Sequence, residues 1–197
     1  MAGITTATTA GKKKEVEVFD SEEAVAVSLA KYTADLSEKF CKERGCFTVV
    51  LSGGSLIESQ VPILPGNVYA INDALSAEGA AEDYETCLKH LVNMKVIEAS
   101  SVSGFPKFDL MLLGMGPDGH VASLFPGHQL CNENEKWVTC IKDSPKPPPE
   151  RITFTFPVIN SSAYVALVIC GAAEAVAVQR ALGKDQNSDV ACSNGFT

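Results

Sequence analysis

Asp118, Gly119 and His120 stand together within Leu112-Leu113-Gly114-Met115-Gly116-Pro117-Asp118-Gly119-His120-Val121-Ala122-Ser123-Leu124-Phe125-Pro126-Gly127. An imidazole of unperturbed pKa about 6.5 exchanges a proton near neutral pH, so His120 is a candidate general base. Asp118 has two readings: it orients the imidazole, or it caps backbone N–H groups in the turn. Gly116 and Gly119 are candidates to bring backbone N–H groups close to a substrate and its developing oxyanion. The stretch follows an apolar run, Phe108 to Leu113, with the length and composition of a buried strand. In open α/β sheets ligands gather outside the carboxyl ends of strands. The plainer reading is a tight strand-to-helix turn with a solvated histidine.

A second glycine-containing turn, Ser52-Gly53-Gly54-Ser55, follows the β-branched run Phe47 to Leu51. Backbone N–H groups of Gly53, Gly54 and Ser55 suit a phosphate cradle, and a simple β-turn is the alternative. Further on, Ser144-Pro145-Lys146-Pro147-Pro148-Pro149-Glu150-Arg151 reads as a rigid extended connection.

The chain has 197 residues, 46% hydrophobic and 20% charged, which suits one ordinary α/β domain. A net charge of −8 argues against nucleic-acid binding, since phosphate backbones require a surplus of Lys and Arg. An anionic ligand must then be met by a local cation cluster. No apolar run reaches the length of a membrane span. The seven cysteines are scattered, odd in number and without a Cys-x-x-Cys pair, which suits free thiols in a reducing compartment. His120 and His128 are separated by a Phe-Pro-Gly loop rather than placed at helical spacing, so no metal site is expected.

Residues 1–14 read as a disordered leader on a cytosolic protein, with a plastid transit segment as the alternative. Glu15 to Phe19 reads as a strand. Ser21, followed by acids, opens a helix with Val25, Leu29, Tyr32, Leu36 and Phe40 at helical spacing, closed by Gly45. Val68 to Ile71 is expected as a short strand, and a helix follows from Ser76 through Tyr84, Leu88, Leu91 and Val92. Lys136 to Ile141 and Ala163 to Cys170 read as strands, and Gly171 to Leu182 as a helix. The polar stretch 184–197 is set apart as a tail. Alternating strands and helices predict a three-layer α/β fold, a mostly parallel open sheet with helices on both faces.

Gly-x-Gly-x-Asp-Gly-His-x-Ala-Ser-Leu-Phe-Pro-Gly, residues 114–127, resembles the signature loop of the 6-phosphogluconolactonases. The sister glucosamine-6-phosphate deaminases and isomerases share Gly-x-Gly and Asp-Gly-His but differ at the tail. The combination of Ser144-Pro145-Lys146-Pro147-Pro148 with Arg151-Ile152-Thr153 and Pro157-Val158-Ile159-Asn160 resembles a second lactonase motif. The resemblance extends over residues 15–183, is nearest to plant cytosolic forms around Ala30 to Ser37, and implies a Rossmann-like sugar-phosphate fold. It implies hydrolysis of a small-molecule sugar-phosphate lactone, 6-phospho-D-glucono-1,5-lactone, with no metal or organic cofactor; charge and hydropathy predict no nucleic-acid and no membrane partner, and the sequence leaves the oligomeric state open, with a monomer as the expectation. It makes His120 and Asp118 the catalytic candidates, and Gly53, Gly54, Ser55, Gly116, Gly119, Lys146 and Arg151 the substrate and phosphate ligands. The family's Asp-Glu-Arg motif occurs nowhere in this chain, so a deletion near 58–61 and a missing C-terminal end are expected. An amino-sugar-phosphate deaminase or isomerase, and a sugar-phosphate-binding variant impaired in catalysis, are the alternatives.

Overall fold

The computed structural model describes residues 2–7, 15–52 and 65–182. Its main sheet has five strands: β1 (Ala2–Ala7), β2 (Glu15–Phe19), β3 (Val49–Leu51), β6 (Leu110–Gly114) and β9 (Tyr164–Ile169), in the order β2-β1-β9-β6-β3. β3, β6 and β9 run parallel, with Val49 opposite Leu110 and Leu110 opposite Tyr164, while β1 is antiparallel to both of its neighbours. Two short antiparallel pairs stand outside this sheet: β4 (Glu98–Ala99) with β5 (Pro106–Lys107), and β7 (Val138–Ile141) with β8 (Arg151–Phe154).

Alternation along β6 explains the layering. Leu110 and Leu112 point to one face, where they meet Leu36 and Phe40 of α1 (Glu22–Arg44). Met111 and Leu113 point to the other, where they join Leu88 and Leu91 of α2 (Ala77–Asn93), Val158 and Ile159 of α3 (Phe156–Ser161), and Ala177 of α4 (Ala175–Leu182). A strand covered on both faces must be apolar throughout, and this one is. The α/β class with helices on both faces is thus the one expected.

Local chemistry sets the helix ends. Ser21 Oγ accepts the Ala24 N–H at 3.1 Å to open α1, and Gly45, at φ 81, closes it by donating its N–H to Cys41 O at 3.0 Å. Ser76 opens α2 in the same way, accepting the Gly79 N–H at 3.2 Å.

Two expectations change. Residues 2–7, expected to lie in a disordered leader, form β1, whose two edges pair with β2 and β9 and so satisfy its backbone groups by pairing distant in sequence. Val68 to Ile71 is no strand: it follows a 3-10 turn, Pro65–Asn67, and leaves Val68, Tyr69 and Ile71 exposed. The expected deletion near 58–61 and the tail 184–197 lie outside the described residues.

The start of β6 carries a buried ionic group that sequence patterning did not reveal. Asp109 Oδ2 accepts the Thr48 N–H at 2.7 Å and the Thr48 Oγ1–H at 2.9 Å, and it is ion-paired with Arg44 Nη2. The Asp109 N–H is returned to Thr48 Oγ1 at 3.0 Å. Removing one partner of a buried pair strands the others. Asp109→Ala should therefore lower the unfolding free energy by about 3 kcal/mol, measured by urea denaturation; a loss below about 0.5 kcal/mol would assign the cluster no structural weight.

Candidate active site

The site is built from two loops. The first, residues 115–128, leaves the carboxyl end of β6 and is anchored by Met115, Val121, Leu124 and Phe125, all buried. Val121 makes isolated bridges to Met115 and Leu124, so the chain doubles back and brings Pro117 and Asp118 to the surface. The second, residues 142–150, joins β7 to β8. Glu85 of α2 holds that hairpin by accepting the N–H groups of Trp137 at 2.8 Å and Val138 at 3.0 Å. Ser123 ties the first loop to β8, donating its N–H to Thr153 Oγ1 at 3.2 Å.

Asp118 is where the loops converge. Its Oδ1 lies 2.6 Å from His120 Nδ1 and 2.9 Å from Lys146 Nζ. Partial burial works to raise the Asp118 carboxyl, yet the hydrogen bonds from His120 and Lys146 outweigh it and bring the carboxyl down to about 2. An ionised carboxylate only accepts, so the short contact assigns a proton to Nδ1 and leaves Nε2 as the ring nitrogen that can accept one from a substrate or water. The contact with Nδ1 fits the first reading of Asp118, orientation of the imidazole, and a backbone hydrogen bond at Asp118 itself fits the second, a cap within the turn.

Gly116 is required by close approach. A Cβ there would overlap Cε1 and Nδ1 of His120 and stand 2.8 Å from Asp118 Oδ1. Gly119 takes φ 85, a conformation that favours glycine. Both amides have partners inside the loop, the Gly116 N–H on His120 O at 3.0 Å and the Gly119 N–H on Gly116 O at 2.8 Å. That departs from the expectation that they face a substrate: the turn is tight enough to consume them.

Arg151 departs from expectation as well. Its Nε donates to Pro148 O at 3.0 Å, and its Nη2 donates to Lys146 O at 2.9 Å and Pro147 O at 2.8 Å. In this structure it folds the proline-rich loop around itself and leaves Lys146 as the side chain directed at Asp118. Gly53, Gly54 and Ser55 lie outside the described residues, although Ser52 donates its N–H to Leu112 O at 3.0 Å, which keeps the end of β3 beside β6. His128 has partners of its own, the Leu130 N–H on Nδ1 at 3.2 Å and Asp143 Oδ1 at 3.2 Å from Nε2. Among the described residues no cluster of His, Cys, Asp and Glu is arranged to hold a metal ion.

Phe125, Thr153 and Glu85 escaped the sequence reading of the site. Phe125 lies within the 114–127 motif, and that was the available signal; Thr153 and Glu85 act through contacts distant in sequence.

Fold and site together define an α/β protein with a carboxylate-oriented histidine at the carboxyl end of a parallel sheet. Residues 56–194 match the family described as glucosamine-6-phosphate isomerases/6-phosphogluconolactonase. The chain belongs to that family. It is 58% identical over 222 aligned residues to 6-phosphogluconolactonase 3, chloroplastic, of Arabidopsis thaliana, covering 89% of this chain and 68% of that protein. It is 47% identical to probable 6-phosphogluconolactonase 2 of the same plant, covering 84% and 83%. The crystal structure of 6-phosphogluconolactonase from Thermotoga maritima superposes with a TM-score of 0.67 at 25% identity, covering 89% of this chain and 90% of that one. The first of these alignments is longer than the chain, so that relative carries residues within it that have no counterpart here.

Asp118 links the site to acid stability. Its carboxyl titrates near 2 in the fold against an ordinary 3.8, so the ionised form is bound more tightly by the folded state. This contribution is complete above about pH 5 and is lost as pH falls through about 2. The stability gap between the unaltered chain and Asp118→Asn should be level near neutrality and shrink below about pH 4; a gap that stays level on acidification would refute the ion pairing.

Proposed function

We propose that the chain hydrolyses 6-phospho-D-glucono-1,5-lactone to 6-phospho-D-gluconate, the lactone-opening step of the oxidative pentose phosphate pathway. The observation that carries this reading is the convergence of His120, Asp118 and Lys146 from the two loop motifs on one carboxylate. The names of the relatives at 58% and 47% identity support it.

In this mechanism His120 Nε2 takes a proton from a water molecule as the water oxygen attacks the lactone carbonyl carbon. Asp118 stabilises the resulting imidazolium through Nδ1–H. Collapse of the tetrahedral intermediate breaks the bond from the carbonyl carbon to the ring oxygen, and the proton on Nε2 passes to that oxygen, giving a carboxylic acid and a hydroxyl. Lys146 Nζ is the cation proposed for the distal phosphate, with Gly53, Gly54 and Ser55 as its backbone cradle and Arg151 acting mainly through the conformation of the loop that bears Lys146.

Amino-sugar-phosphate chemistry is disfavoured by the Ser123-Leu124-Phe125-Pro126-Gly127 tail, and it predicts ammonia release, which lactone opening never produces. Binding without turnover is a second reading, favoured by the lack of any Asp-Glu-Arg motif and by the residues of the relative that have no counterpart here. For location, the resemblance to plant cytosolic forms supports the cytosol, and the names of relatives at 58% and 59% identity support the plastid. A fluorescent fusion imaged in leaf cells separates them.

Acid release from freshly generated lactone, measured against spontaneous opening, tests the reaction. His120→Ala should lower kcat by about 10²- to 10⁴-fold. Gly116→Ala should lower it as well, because its methyl group displaces the imidazole. Lys146→Ala should raise KM by roughly 10- to 100-fold, the worth of a charge-assisted hydrogen bond. Turnover unaltered in His120→Ala would overturn the assignment.

A further inference from the structure

Asp118 fixes one edge of the His120 ring, but a hydrogen bond at Nδ1 leaves the imidazole able to swing about that contact. A flat partner removes this freedom. The Phe125 ring is stacked on the imidazole, with centroids 4.5 Å apart and planes 26° from parallel. Phe125 is itself held: it is 3% exposed, and its carbonyl accepts the His128 N–H at 3.0 Å and the Cys131 Sγ–H at 3.0 Å. The Arg151 guanidinium lies over the same ring, 5.7 Å from its centroid, so the side chain that folds the Lys146 loop rests on the residue that supports His120.

We propose that Phe125 is a positioning residue for the hydrolysis, a rigid aromatic plate that sets the plane of the His120 imidazole so that Nε2 is aimed at the attacking water. This rests on the hydrolytic reading above. An aliphatic side chain fills similar volume but presents no plane, and small angular errors in a general base are costly to rate. Phe125 touches neither water nor substrate in this role.

The test pairs Phe125→Leu with Phe125→Tyr. Phe125→Leu should lower kcat about tenfold while KM stays within about twofold, and Phe125→Tyr should recover most of the rate. A purely structural role would lower the melting temperature of Phe125→Leu without this kcat-against-KM split. Independently, the ring protons of His120 in the unaltered chain should resonate upfield of those of His90 and His128 through the Phe125 ring current, and should move downfield in Phe125→Leu. Unshifted His120 resonances in the unaltered chain, a kcat unchanged in Phe125→Leu, or equal loss in the tyrosine variant at equal melting temperature would each overturn the proposal. If Phe125→Leu does not fold, the resonances of the unaltered chain decide. Failure of the unaltered chain to open the lactone counts against the proposed reaction and leaves the stack to the resonances.

Discussion

A carboxylate buried at the amino end of β6 governs how β3 and the end of α1 are set against that strand. Asp109 is 2% exposed, and a buried charge is tolerable when it is paired and hydrogen-bonded. Its partners come from the end of α1, at Arg44, and from the residue preceding β3, at Thr48. Satisfying one carboxylate thus fixes where the long helix ends, where β3 begins and how β3 aligns with β6. The register that results, Val49 opposite Leu110, carries to the far ends of the strands and sets the base from which residues 115–128 depart. Apolar burial on both faces stabilises the layers but is indifferent to small sliding; the hydrogen bonds at Asp109 are not.

At the opposite end a second aspartate performs a different task with the same chemistry. Asp118 is partly open to solvent, and two donors share one of its oxygens. Where Asp109 joins secondary-structure elements, Asp118 joins the side chains of the proposed site: it accepts from the imidazole Nδ1 and holds an ammonium group nearby. The loops that bring these groups together are not themselves regular. Their shape comes from commitments of backbone groups inside each loop, from buried apolar anchors in the first and from the guanidinium of Arg151 in the second.

Much of this was legible because it is local. The caps of α1, the two-faced apolar run of β6, and the grouping of Asp118 with His120 depend on residues within a few positions of one another, and their types reveal them. Lys146 was found only through a motif, since nothing in the net charge of −8 says which cation meets which carboxylate. The clasp of Arg44, Thr48 and Asp109 spans 65 positions and leaves no periodic trace. Pairing hid β1 for the same reason: a threonine-rich segment becomes a strand when β9 and β2 offer it edges. Conversely, the β-branched run around Val68 looked like a strand and found no edge to join. The uses of Gly116, Gly119 and Arg151 depended on where each donor pointed, and composition carries no direction.

The two aspartates flank one strand, and their separation has an evolutionary consequence. β6 is five residues long, so its ends are roughly 13 Å apart at about 3.3 Å per residue, beyond the range in which substitutions usually interfere with one another. Sequence drift at the Arg44 end changes how firmly the protein stands, and drift in the 115–128 loop changes what it does. Divergence of activity within such a fold can therefore proceed at one end of a strand while the scaffold at the other is left untouched.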